Sequence, residues 1–362
     1  MQTDVLQTKR PPTFAEASTR RQKARAAGLV PDHWYIVARA NELRPGDMKE
    51  IVFSKQSIAL YRGQDGEYRA IENRCAHRSL KLTTGVVEGC NLICQYHGWM
   101  YNGDGRLIGV KHDRFGHELL NLRIRSYPVA VSDGLVWMFP GDSKKANQTP
   151  IPALPEMGSG SGWSHYVREY RWQCHHSMVI DNLCDLSHGY LHRRTRPFGY
   201  DARLTRYQSG ADDVTIEYQV RIGDSKLMNA LFDRRQMPSG SLLLKCDYPY
   251  FWSWTDDYIK IFVSFIPVDE RTTHFFMVGL VRPMNFPYTG WKLPKWAMEA
   301  VVRYLSPLEL DKIMKEDQAA LSWEIDAYER HWNEPAIELN PVVNAVQDLI
   351  IGKWTAYMKS EA

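Results

Sequence analysis

The chain has 362 residues, of which 44% are hydrophobic, 12% aromatic and 24% charged, with a formal net charge of +3. That length holds two domains with sizeable cores, and so ordinary a balance excludes a disordered polymer and gives no reason to expect a nucleic-acid partner. No apolar run reaches the roughly 18 residues of a membrane-spanning helix, and the residues after Met1 carry no apolar signal core. Six cysteines in so long a chain do not suit a disulfide framework, so the expectation is a reducing, cytoplasmic compartment where cysteine beside histidine points to metal.

The first expected element is a helix in "STRRQKARAAGL", residues 18–29, where Arg, Lys and Ala favour helix and Ser18 or Thr19 offers an N-cap. It reads as a solvated or subunit-packing helix, with residues 1–32 as an N-terminal helical extension. From residue 33 the pattern turns to short β-strands. "HWYIVA", "EIVFS", "SIALYRG" and "EYRAIEN" are apolar, β-branched runs separated by turn residues. "NLICQYHGWMYNGDGRLIG" continues them with a hairpin turn at "NGDG", and "GLVWMFPGD" closes a small all-β domain over 33–145. The Pro-, Gly- and Ser-rich stretch 141–162 reads as a linker or surface loop. The remainder, 146–362, mixes types. A helix is expected over about 176–192, then strands at "VTIEYQVRI", "SLLLKCDY", "YIKIFVSFIPV" and "THFFMVGLVRP", then helix from Leu293 to about Trp332 broken at Pro307. An antiparallel sheet with segregated helices is an α+β domain.

Two constellations carry chemistry. Cys75 and His77 are one residue apart in "CAHRS", and Cys94 and His97 two apart in "CQYHGW". A structural zinc could take two cysteines and two histidines. A four-cysteine iron–sulfur cluster is excluded, because each pair offers one cysteine. A Rieske [2Fe–2S] centre needs two Cys on one iron and two His on the other. Both pairs fall at turns between strands, not at helix starts as in a zinc finger. Cys90, Cys174, Cys184 and Cys246 read as buried thiols. The second constellation is "VIDNLCDLSHGYLHRR", residues 179–194, where Asp181, Asp185, His188 and His192 are spaced four, three and four. On one helix these would share a face, and a divalent metal is the natural partner for His188 and His192.

The two stretches resemble the Rieske loops and mononuclear-iron motif of the Rieske non-heme iron oxygenases, the ring-hydroxylating oxygenase alpha-subunit family. The family's first pattern is C-x-H, a spacer of sixteen or seventeen residues, then C-x-x-H; here sixteen residues separate His77 from Cys94. Its second is (D/E)-N-x-x-D-x-x-H-x(3 or 4)-H, met here by Asp181-Asn182, Asp185, His188 and His192 with the less common three-residue gap. The likeness runs over about residues 33–330 and is nearer the homotrimeric monooxygenases. It implies a small all-β Rieske domain followed by a helix-grip (START-like) antiparallel-sheet catalytic domain. It implies a [2Fe–2S] cluster on Cys75, His77, Cys94 and His97, and a mononuclear Fe(II) on His188, His192 and a carboxylate from a late helix. In "LDKIMKEDQAALSWEI", residues 310–325, Asp317 shares a mostly apolar face with Ile313, Ala320, Leu321 and Glu324, and is preferred to Glu316 on a more solvated edge. Asn182 is expected near the iron, and His175 and His176 as core or surface histidines. Asp185 is expected to bridge an iron-ligand histidine and His97 of the partner subunit, which implies a homotrimer.

The resemblance further implies oxygenation by O2 of a small apolar substrate. Electrons come from a ferredoxin and/or flavin reductase, a separate protein because the chain has no dinucleotide or flavin fingerprint. Hydroxylation or oxidative demethylation is the expected outcome; cis-dihydroxylation, or electron transfer or redox sensing without oxygenase activity, are the alternatives. Candidate pocket walls are the strands of 241–265 and 273–281, with a loop at 224–240 over the entrance.

Overall fold

In the computed structural model, which describes residues 10–111, 116, 118–194, 202–220, 240–255, 258–283, 291, 294–304 and 306–361, the chain divides into two units. The first holds Val30–Gly158 with Ile266–Asp269; the second holds the chain up to Leu29, Ser159–Phe265 and everything from Glu270.

Short alternating strands build three antiparallel sheets in the first unit. One joins β1 (Tyr35–Arg39), β11 (Leu135–Met138) and β10 (Val129–Ser132) in that order. A second runs β2 (Met48–Phe53), β3 (Gln56–Arg62), β4 (Tyr68–Glu72), β9 (Ser126–Tyr127). A third runs β5 (Val86–Glu88), β6 (Asn91–Ile93), β7 (Trp99–Tyr101), β8 (Leu107–Val110). Tyr61, Ile71, Leu92, Tyr101 and Leu107 share a buried cluster with Cys75 and Cys94, so the two Cys-His loops are rooted in core. The expected turn at "NGDG" joins β7 to β8. Asn102 Oδ1 accepts from the amides of Asp104 and Arg106, and Gly105 sits at φ +77°, where an added Cβ would lie 2.2 Å from the Ile124 carbonyl oxygen.

The division differs from the expected boundary at 145. Asp142 caps the short helix α2 (Ser143–Ala146), and Trp34 Nε1 donates to the Thr149 carbonyl at 2.9 Å. These bonds hold the stretch beyond 145 in the first unit.

The second unit is one seven-stranded sheet, in the order β12 (Ser164–Trp172), β18 (Thr272–Val281), β17 (Ile259–Asp269), β16 (Tyr250–Thr255), β15 (Ser241–Asp247), β14 (Asp213–Val220), β13 (Ala202–Ser209). Six of the seven lie between residues 202 and 281; β12 comes before them. α3 (His176–Cys184), α4 (Lys295–Tyr304), α5 (Ser306–His331) and α6 (Pro341–Ser360) accompany it, and α6 packs on α3, on β14 and on the N-terminal α1 (Arg20–Ala26). This is the helix-grip arrangement. Phe262, Phe265, Phe275 and Phe276, on strands named above as pocket walls, are closed into the core. Of the entrance loop, 224–239 lies outside the described residues. Among the described residues no helix is long and apolar enough to cross a membrane.

α1 departs from the solvated alternative expected for it. Thr19 and Gln22 form the capping box, and Gln22, Ala24 and Arg25 of the helix, with Ala27 and Leu29 after it, are buried within the second unit. At Gly28 an added Cβ would meet the Trp354 ring of α6 at 2.6 Å, which is why α6 can lie so close.

Candidate metal centres

Two tight turns carry the first site. The amide of Ser79 donates to the Cys75 carbonyl, and that of Gly98 to the Cys94 carbonyl, at 2.8 and 3.0 Å. Gly98 has φ +68° and no room for a Cβ, which would lie 2.8 Å from Lys111 Cβ. The turns bring both cysteines inward and both histidines toward the surface. Cys75 and Cys94 are buried, while the imidazole rings of His77 and His97 meet edge-on with centroids 4.5 Å apart. Trp99 stacks on His77 at 5.0 Å, and the Tyr101 hydroxyl ties one loop down, 3.5 Å from Cys75 Sγ and accepting from the Ala76 amide at 3.0 Å. Burial and the neighbouring Cys75 thiol push the Cys94 thiol up; burial, His97 and Arg78 lower His77. Adjacent buried sulfurs with two imidazoles outside them are a donor set that fits a [2Fe–2S] cluster, which would take two thiolates on one iron and two imidazoles on the other. A zinc-finger arrangement would place a ligand pair on a helix, and no helix is present here. Cys90 is half-buried, not buried as expected, with Asp65 hydrogen-bonded to its side chain.

The second site starts from a helix that ends early. α3 stops at Cys184, because Asp185 leaves the helical region at φ −98°, ψ 103°. Its Oδ1 accepts from the Ser187 amide at 2.8 Å and from Asn340 Nδ2 at 2.7 Å, and a 3₁₀ helix, Leu186–Tyr190, follows. An aspartate side chain that bonds the backbone two residues on competes with helix, and here it wins. The single helix expected over 176–192 is therefore absent, and its four ionisable residues do not share a face. Asp181 turns away into a buried pair with Arg25. Its neighbour Asn182 donates to Asp317 Oδ1 at 3.3 Å. The hydrogen bonds of Asp185 run to Asn340 and Ser187, not to His188 or His192.

The break aims His188 and His192 at α5. His188 Nε2 lies 3.5 Å and His192 Nε2 3.3 Å from Asp317 Oδ1, and one ligand atom from each of the three residues falls within 4.8 Å of the others. Two ligands at right angles on a metal, each about 2.1 Å from it, are themselves about 3 Å apart. The donor set, two imidazoles and one buried carboxylate, is that of a non-heme iron site with open positions. Among the described residues no other His, Cys, Asp or Glu group meets the same criterion of convergence. Glu316, expected on a solvated edge, instead accepts from His192 Nδ1 at 2.8 Å. This fixes the ring's orientation and leaves Nε2 facing Asp317. Burial opposes a proton on His192, but the carboxylates of Asp317 and Glu316 outweigh it and raise the imidazole. Asp317 is buried on the apolar face that the pattern of "LDKIMKEDQAALSWEI" marks for it, while the bond from Glu316 to His192 lies beyond what that pattern shows.

His175 and His176 lie elsewhere in the same unit, both buried, and burial lowers His176 to about 3.

Comparison with known proteins places a known family on each of the two stretches that carry these sites. Residues 33–128 match the Rieske [2Fe–2S] domain family, and 172–349 the vanillate O-demethylase oxygenase C-terminal domain family. The chain is 36% identical to 4β-methylsterol monooxygenase of Methylococcus capsulatus over 94% of its own length and 93% of that protein's. Its fold is similar to the crystal structure of dicamba monooxygenase bound to dicamba, with TM-score 0.71, 21% identity and coverage of 92% and 99% of the two chains. It is also similar to an oxygenase–ferredoxin complex of carbazole 1,9a-dioxygenase with TM-score 0.68, 16% identity and 92% coverage of each chain. A relative this similar along nearly the whole length, together with two domain matches in the expected order, places the chain in the Rieske non-heme iron oxygenase family.

Proposed function

We propose that this oxygenase inserts one oxygen atom into an apolar, polycyclic substrate of the methylsterol kind, drawing electrons from a separate ferredoxin and/or flavin reductase. The observation that carries the chemistry is the convergence of His188, His192 and Asp317, three ligand atoms within 4.8 Å, in a chain that also pairs two buried cysteines with two histidines. Substrate class is supported by the methylsterol monooxygenase relative, and a protein electron donor by the oxygenase–ferredoxin complex among its structural neighbours. When bound, the cluster on Cys75, His77, Cys94 and His97 carries electrons singly, and iron on the triad activates O2 beside the substrate.

The chain's own residues set the conditions for that chemistry. Glu316 holds the Nδ1 proton of His192, and Asn182 steadies the Asp317 carboxylate. Asp185, anchored by Asn340, starts the turn that aims His188. In a homotrimer, which this reading includes, Asp185 would also meet His97 of the partner subunit. The free thiols suit a reducing cytoplasm.

The test supplies a 4-methylsterol, a surrogate ferredoxin and reductase, and isotopically labelled O2. The expected product carries one labelled oxygen at the methyl group or ring, and His188→Ala loses mononuclear iron and turnover while the cluster spectrum stays. A cis-diol product overturns the monooxygenase reading. A His188→Ala protein with full iron content overturns the iron-site assignment.

A further inference from the structure

We infer that Arg25, on α1 and more than 150 residues from the nearest iron ligand in sequence, is a positioning residue for the mononuclear iron site. The inference rests on the reading of His188, His192 and Asp317 as that site.

The triad straddles two elements. His188 and His192 follow α3, while Asp317 belongs to α5, and Asn182 of α3 reaches across to Asp317 Oδ1. The site's shape therefore depends on the spacing of α3 and α5. Arg25 spans that spacing with a single guanidinium. Its Nη1 donates to Ser177 Oγ at 2.7 Å and to Asp181 Oδ2 at 2.8 Å, both on α3. Its Nη2 donates to Glu324 Oε1 at 3.1 Å, on α5. The attachment points are close to the iron site on both helices. Asp181 is the residue before Asn182, and Glu324 follows Asp317 by seven residues, two turns along one stripe of the helix. Gln347 of α6 donates to the same Asp181 oxygen at 2.7 Å and so backs the clamp from a third side.

A planar fork with donors on two nitrogens can hold two helices at a set distance; a lysine ammonium, a single compact donor centre, fixes that distance less well. The Arg25 side chain is 4% exposed and that of Asp181 10%, so water does not substitute freely on the α3 side; Glu324, at 40%, takes the fork where α5 meets solvent. Other residues of α1 do not make this link. Arg20 is tied to Asp348 and Asn344 of α6, and its side chain is 46% exposed.

The experiment compares full-length wild type with Arg25→Met, Arg25→Lys, the double variant Arg25→Met/Asp181→Asn, and Arg20→Met. Iron-depleted protein is titrated with Fe(II); cluster content is read from the visible spectrum, and the geometry of the mononuclear iron from the electron paramagnetic resonance of its nitric oxide adduct. Arg25→Met is expected to bind Fe(II) roughly tenfold more weakly, the lower end of what losing a supporting partner costs a metal site. Its nitrosyl signal should change rhombicity, with cluster content as in wild type. Arg25→Lys should fall between. Should Arg25→Met fail to fold, the double variant, which leaves no unpaired carboxylate at position 181, and Arg25→Lys carry the comparison. Folded Arg25 variants with wild-type iron affinity and an unchanged nitrosyl signal overturn the proposal. An equal loss in Arg20→Met overturns it too, since docking of α1 in general would then be the cause. Failure of the underlying reading shows separately, as iron that binds His188→Ala as tightly as wild type.

Discussion

At the scale of single residues, the iron-site helices show how little separates a ligand from its support. Asp317 and Glu316 are neighbours on α5, yet one contacts both histidine Nε2 atoms and the other bonds the far nitrogen of His192. Asp317→Ala is expected to abolish iron binding. Glu316→Gln keeps an acceptor but loses the charge, and iron affinity should fall about tenfold, measured by Fe(II) titration. The reverse order would exchange their roles. His176 supports a different expectation. It is fully buried, its ring nitrogens have no hydrogen-bond partner among the described residues, and burial lowers it to about 3. The unfolded chain takes up that proton near pH 6.5, while the folded chain does not until about pH 3. Stability is therefore lost as pH falls through that window. At pH 4 the loss from this one group is about 3 kcal/mol. His176→Phe removes it, so the acid-unfolding midpoint should move to lower pH; an unmoved midpoint would mean that His176 is protonated in the folded chain.

At the scale of elements, the Asn102–Gly105 turn was legible because its chemistry is local. Gly105→Ala combines a left-handed φ with a carbonyl 2.2 Å from the new Cβ. It should cost about 2 kcal/mol or more, seen as a lower melting point of the cluster's visible absorbance. A wild-type melting point would show that the loop yields at no cost. Strands with clean alternation, such as β14, and the continuously apolar β17 and β18 could likewise be read directly. β13 could not: it is an edge strand with nearly every side chain exposed, so no buried face marks it. β12 hides behind its Arg and Glu residues for the same reason. α6 carries a local start signal, an Asn340 cap followed by Pro341 at the first helical position. The apparent helix over 176–192 failed because helical spacing says nothing of a side chain that captures its own backbone, as Asp185 does. The candidate ligand residues could be proposed from sequence because Cys-His and His-His spacings are short-range. Arg25 could not, because its partners lie 152 to 299 residues away.

At the scale of the whole molecule, the second unit is discontinuous: it takes the chain up to Leu29, releases it for the first unit, and resumes at Ser159. α1 packs on α6, the last described helix, and among the described residues its Arg25 charge is neutralised by Asp181 and Glu324. During synthesis, then, α1 is made long before α6, the helix it packs on. The first unit, apart from the four residues 266–269, is complete long before and can close in the interval. A nascent chain arrested before residue 341 should resist protease across 30–158 and be cut readily near α1; release to full length should protect both. Early protection of α1 in the arrested chain would show that it docks without α6. Such a layout makes docking of α1 a step that trails closure of the first unit.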